Sequence, residues 1–126
     1  MSADKILSRL EDIMEAIRDA EDSVRGKSFE DYLAEPMLRS AVERKIEIIS
    51  EASRHVPMEL KTKYPGIPWR KVAGIGNILR HGYKLIDDHE IWDVARNELA
   101  PLKAVVESMI VEIGTPKASA PCRPSD

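Results

Sequence analysis

Four side chains suited to handling a phosphate fall within the stretch Asn77-Ile78-Leu79-Arg80-His81-Gly82-Tyr83. Imidazole is the side chain best suited to moving protons near neutral pH. Guanidinium is the best fixed cation for a phosphate. A phosphoryl-transfer or RNA-cleaving site needs both, one for proton transfer and one for charge stabilisation. Asn77 and His81 are four residues apart and share one face of a helix, so the amide can orient the imidazole or a phosphate oxygen. Taken as residues alone, Arg80 and His81 also suit a helix C-terminus, where cations complement the dipole. Tyr83 equally suits a half-buried packing position.

The charge along the chain frames this stretch. The net charge is −3, but residues 57–84 carry Lys61, Lys63, Arg70, Lys71, Arg80 and Lys84 against only Glu59. The segments on either side are each net acidic. A local positive field of this kind favours a polyanion, although a solvated helix–loop–helix surface has the same composition. Two Trp, three Tyr and one Phe rule out broad aromatic stacking as a binding strategy. The single Cys122 excludes an intramolecular disulfide and a cysteine-based zinc site. That fits a reducing cytoplasm, and no cofactor or metal is expected. The sequence contains no apolar run long enough to span a membrane. Its start enters an acidic amphipathic pattern and lacks the apolar middle of a signal peptide.

Helices must position these groups. Ile6, Leu10, Ile13, Met14, Ile17, Ala20 and Val24 recur at three- and four-residue steps, predicting a helix over 3–25 that Gly26 ends. Ser28 is an N-cap with Asp31 at the third helical position. Pro36 opens a second long helix through His55, with the stripe Leu38, Ala41, Val42, Lys45, Ile48, Ile49, Ala52 and Val56. Ile46 lies off that stripe, which predicts contact on two sides. Pro57 ends the helix and can start a short turn through Lys61. After a turn-rich connector at 64–68, Trp69, Val72, Ala73, Ile75, Gly76 and Leu79 form the apolar face of a third helix that reaches His81 or Tyr83. Gly74 and Gly76 each cost this helix about 1 kcal/mol against Ala, which predicts close approach of a neighbour. Asp87 and Asp88 form a turn and N-cap rather than a metal pair. A fourth helix over 88–113 should be kinked or split by Pro101 near Leu99. Residues 114–126 are predicted to be disordered. The pattern is all-α: an antiparallel bundle of four to five helices in one domain, 1–113.

Three pieces in order carry a family resemblance. The second helix has Ala41-Val42-Glu43-Arg44-Lys45-Ile46-Glu47-Ile48-Ile49-Ser50-Glu51-Ala52. The middle has Ile67-Pro68-Trp69-Arg70-Lys71-Val72-Ala73-Gly74-Ile75-Gly76-Asn77, running into Arg80-His81-Gly82-Tyr83. The fourth helix has Ile91-Trp92-Asp93 and Asn97-Glu98-Leu99-Ala100-Pro101-Leu102. The set resembles the HepT-like proteins of the HEPN superfamily over about residues 3–113. The resemblance implies an all-α homodimer and the toxin half of a toxin–antitoxin pair. It also implies metal-independent endoribonuclease activity and an MntA-like nucleotidyltransferase antitoxin that transfers AMP onto a motif tyrosine. Carried onto this sequence, the catalytic histidine is His81, the polar residue Asn77 and the modified tyrosine Tyr83.

The chain departs from the family motif at one position, where the motif arginine falls on Gly76. Positions 76 and 80 are one turn apart, and long helical side chains lean toward the N-terminus. Arg80 is therefore expected to lay its guanidinium over space opened by Gly76 and so relocate the cation. Glu47 and Glu51, one turn apart, either buttress this basic site or form a solvated acidic face. His55 and His89 are expected at the surface. The alternative function is a catalytically impaired binding module of the same fold, serving as helper to a minimal nucleotidyltransferase.

Overall fold

A computed structural model describes residues 2–81 and 87–114 of the chain. Among these residues the regular structure is entirely helical: α1 (Ala3–Val24), α2 (Phe29–Ala34), α3 (Pro36–Ser53), α4 (Met58–Lys61), α5 (Trp69–His81), α6 (Asp88–Asp93), a π-helical turn (Val94–Glu98) and α7 (Leu99–Gly114). The predicted tail, Cys122 and Tyr83 lie outside the described residues.

Local chemistry sets most boundaries. The Ser2 hydroxyl accepts from the Lys5 backbone N–H and starts α1. Gly26, at φ 75°, adopts the left-handed conformation that carries the chain away from the helix. Ser28 and Asp31 make a reciprocal capping box on α2, and Asp87 and Glu90 do the same on α6. Pro36 occupies the first turn of α3, where its missing N–H costs nothing.

The predicted fourth helix is broken into α6, the π turn and α7. Pro101 has no N–H to give the carbonyl four residues back, and that residue, Asn97, lies inside the π turn. The wider winding accommodates the interruption without ending the helical path, as π-bulges do.

The core has two parts. The larger packs Leu10, Ile13, Met14, Ile17 and Ala20 of α1 against Ile49 and Ala52 of α3 and Leu102, Val106 and Met109 of α7. The smaller surrounds Tyr32 with Val24, Val42, Ile46, Ile91 and Ala95. Helix α3 serves both, so its buried face is wider than one stripe. Ile46 is buried as part of the second core, in line with contact on two sides. Two members of the predicted stripe do not face inward in the expected way. Ala41 is exposed, and Lys45 reaches out to pair with Asp19 at 3.0 Å. Ser50 and Ser53 are buried in their place.

Tyr32 is fully buried, and its hydroxyl has no hydrogen-bond partner among the described residues. Burial raises its pKa well above the ordinary tyrosine value, and the carboxylates of Glu43 and Asp88 raise it further. An unsatisfied buried hydroxyl costs about 1–3 kcal/mol. Tyr32→Phe should therefore raise stability at neutral pH by about 1 kcal/mol, read as a higher urea midpoint at unchanged slope. A group with a raised folded pKa loses its stabilising contribution as pH climbs above its unfolded value. The wild type should therefore lose stability above about pH 10 more steeply than Tyr32→Phe does.

Candidate functional site

Helix α5 carries the candidate residues, and a single seam attaches it to α3. Its apolar residues Val72, Ile75 and Leu79 are half-buried, and Gly76 is its one buried residue. At that point the Ser50 hydroxyl of α3 donates to the Ala73 carbonyl at 2.9 Å and accepts from the Gly76 N–H at 3.1 Å. Arg54 of α3 also donates from Nε to the Ala73 carbonyl, at 3.3 Å. A Cβ added to Gly76 would lie 2.5 Å from Ser50 Oγ and 2.7 Å from its Cβ. Glycine is therefore required here because α3 is so near. Gly74 has nothing within 4 Å of an added Cβ, so the close approach predicted for both glycines occurs only at Gly76.

The exposed end of α5 presents Asn77, Arg80 and His81. The Arg80 guanidinium reaches back one turn and donates to Asn77 Oδ1 at 2.7 Å. It leans toward the N-terminus as expected, but it does not lie over Gly76. That space is filled by Ser50. With Oδ1 engaged, the Asn77 amide has its NH₂ group to offer. The remaining N–H groups of Arg80 and the His81 imidazole complete a set of donors, which is what an anionic oxygen requires. Tyr83, two residues on, lies outside the described residues.

Both predicted acidic neighbours lie beside Arg80. Arg80, Glu47 and Glu51 line a surface depression of about 160 Å³ between α1, α3 and α5, together with Arg9, Asp12 and Arg44. Arg44 pairs with Glu47 at 3.4 Å, and His55 pairs with Glu51 at 3.2 Å. The hydrogen bond from His55 holds the Glu51 carboxyl below its ordinary pKa, aided by the charges of His55, Arg54 and Arg80. His89 is exposed and packs edge-on against Phe29, away from this cluster. Among the described residues, no group of three or more His, Cys, Asp or Glu side chains is placed to hold a metal ion.

Ser50, Arg9 and Arg54 were not legible as site residues. Ser50 had one faint signal, a small polar residue within an apolar helix opposite a chain segment containing glycine. Arg9 and Arg54 are ordinary surface arginines by sequence, and only the packing of α1 and α5 onto α3 brings them near.

The two glycines supply a matched test. Gly76→Ala should destabilise the fold by about 1–3 kcal/mol, because overpacking against Ser50 outweighs the gain of about 1 kcal/mol in helix propensity. Gly74→Ala should stabilise by about 1 kcal/mol. Thermal or urea unfolding of both variants checks the opposite signs.

The chain matches the family model described as Ribonuclease HepT-like over residues 13–109, which covers the seam, the α5 donors up to His81 and the π turn. It is 38% identical over 100 residues to a protein of Thermococcus cleftensis provisionally named ribonuclease HepT, covering 79% of this chain and 91% of that one. It is 33% identical over 107 residues to a protein of Methanocaldococcus jannaschii provisionally named an RNase, covering 85% of this chain and 98% of that one. A similarly named protein of Caldanaerobacter subterraneus is 33% identical over 101 residues, covering 80% of this chain and 90% of that one. No solved structure is significantly similar to it. Among the described residues no helix is long and apolar enough to cross a membrane. An all-helical fold, an exposed Asn77–Arg80–His81 end on α5 and full-length relatives of this identity converge on one assignment: the chain belongs to the ribonuclease HepT-like family.

Proposed function

We propose that this protein is a metal-independent endoribonuclease acting on cytoplasmic RNA as the toxin of a toxin–antitoxin pair. The observation that carries this reading is the Arg80–Asn77 hydrogen bond beside an exposed His81, in a chain of this family. The names of its relatives support an RNA substrate.

The chemistry uses the RNA as its own nucleophile. A base removes the proton of a ribose 2′-OH, and that oxygen attacks the adjacent phosphorus. The O2′–P bond forms as the P–O5′ bond breaks, and an acid protonates the departing 5′ oxygen. The products are a 2′,3′-cyclic phosphate and a 5′-hydroxyl. His81 performs the proton transfers. One histidine per chain suffices when the two-fold axis of a homodimer brings two copies together, one as base and one as acid. Arg80 stabilises the charge on phosphorus. Asn77 holds Arg80 in place and adds its own amide donor. Glu47 and Glu51 flank the guanidinium. Residues 1–113 make up the working domain.

The toxin is silenced by an MntA-like nucleotidyltransferase. That enzyme transfers AMP from ATP to the Tyr83 phenol oxygen and releases pyrophosphate. A bulky anion two residues from His81 would repel the substrate phosphate.

One observation favours a second reading. Gly76 stands where the family motif has arginine, and Ser50 occupies the space beside it. A chain that had lost that cation without replacement would be a helper subunit of the nucleotidyltransferase and not a nuclease.

Expression with and without the nucleotidyltransferase separates the two. The nuclease reading predicts growth arrest by the wild type alone, relief by the partner and no arrest by His81→Ala. Arrest that survives His81→Ala contradicts it, and absence of arrest in the wild type favours the helper. After incubation with the nucleotidyltransferase and ATP, intact mass should rise in AMP-sized steps that Tyr83→Phe abolishes.

A further inference from the structure

The depression beside Arg80 holds an unusual balance of groups. Three guanidiniums (Arg9, Arg44, Arg80) and three carboxylates (Asp12, Glu47, Glu51) line it, with Ile48 and Ala52 adding apolar surface. Arg44 is already engaged by Glu47, at 3.4 Å, and His55 holds one oxygen of Glu51, Oε2, at 3.2 Å, which leaves Oε1 to accept from a ligand. The Arg9 side chain is half-buried and makes no hydrogen bond or ion pair with a described residue. Arg80 bonds only Asn77 among the described residues and keeps further N–H groups.

A bare phosphate does not suit this lining. Its receptor needs donors alone, and three carboxylates facing an anion repel it. The lining calls for a ligand that carries donors and acceptors close together and has an apolar face. The depression, about 160 Å³ and open to solvent, is larger than an oxyanion needs. Guanine has the matching pattern. Its O6 and N7 accept a bidentate arginine, and its amino group and ring N–H offer donors that a carboxylate can accept. Bases of single-stranded RNA are splayed out and read in this way, often against an arginine plane.

We infer that this depression is a subsite for a guanine base of single-stranded RNA, with Arg9 donating to the base acceptors and Glu51 accepting from its N–H groups. Arg80 stands at the boundary, shared between the base subsite and the phosphate-handling end of α5. The inference rests on the reading of the chain as an RNA-cleaving enzyme and adds to it a preference for where the chain cuts. Adenine offers one amino donor and no bidentate acceptor pair for arginine, and a pyrimidine lacks the O6/N7 acceptor pair of guanine.

The test is direct binding to the full chain, independent of cleavage. GMP, AMP, UMP and inorganic phosphate are titrated separately and followed by amide NMR shifts. GMP should bind about tenfold or more tightly than the other three, with the largest shifts at Arg9, Glu51 and their neighbours. Arg9→Met keeps the apolar stem and removes the donors, and Glu51→Gln removes the charge. Each should erase the preference for GMP. Equal or undetectable binding of all four probes overturns the subsite, and so does a preference that survives both variants. A GMP preference without any RNA cleavage leaves the subsite standing and removes the nuclease reading. Cleavage without a base preference does the reverse.

Discussion

Helix α5 depends on how one hydroxyl is used twice. Ser50 Oγ donates to the Ala73 carbonyl and accepts from the Gly76 N–H, so one side chain of α3 grips two backbone groups of α5. The grip works only at short range, and glycine at 76 supplies that range. The other apolar residues Val72, Ile75 and Leu79 are only half-buried, so this seam fixes the register of α5 against α3. Register in turn decides which side chains face outward at the helix end. The Asn77, Arg80 and His81 donors stand where they do because Gly76 is pinned four residues or fewer behind each but the last. A close-packed seam of this kind tolerates little change, since interiors pack without spare volume.

The same seam leaves no room for a long side chain at position 76. Ser50 and glycine at 76 fit each other, and a long side chain at 76 would have to displace a buried, doubly bonded serine. The cation that remains on this turn of α5 is Arg80. Its position follows the ordinary lean of helical side chains toward the N-terminus. Its partner is the Asn77 amide, and not the space beside Gly76. A neutral partner leaves the guanidinium charge intact, whereas a carboxylate at that distance would have neutralised it. Glu47 and Glu51 lie beside the same depression but are engaged by Arg44 and His55.

Much of this architecture was legible in the residues. The α1 stripe, the Ser28–Asp31 and Asp87 caps, Pro36 at a helix start and the interruption caused by Pro101 all depend on local chemistry, which sequence carries directly. The wider buried face of α3 was only hinted at by Ile46, because a helix that serves two cores has no single stripe. The candidate site was legible where its residues are contiguous, at Asn77, Arg80 and His81. It was not legible where it depends on packing between helices. Ser50 is 26 positions from Gly76 along the chain, and no periodicity links them. The contrast between Gly74 and Gly76 was also invisible, since both have the same local context and only the approach of α3 distinguishes them.

The central proposal is that Arg80 carries the cationic role that the family motif gives to position 76. The most direct measurement is the single-turnover cleavage rate of single-stranded RNA in the presence of a chelator, for wild type, Arg80→Ala and Arg80→Lys. The account predicts a loss of about a hundredfold or more in Arg80→Ala, with Arg80→Lys recovering part of it, because loss of a preorganised charge donor has costs of that order. Cleavage by Arg80→Ala at the wild-type rate would contradict it.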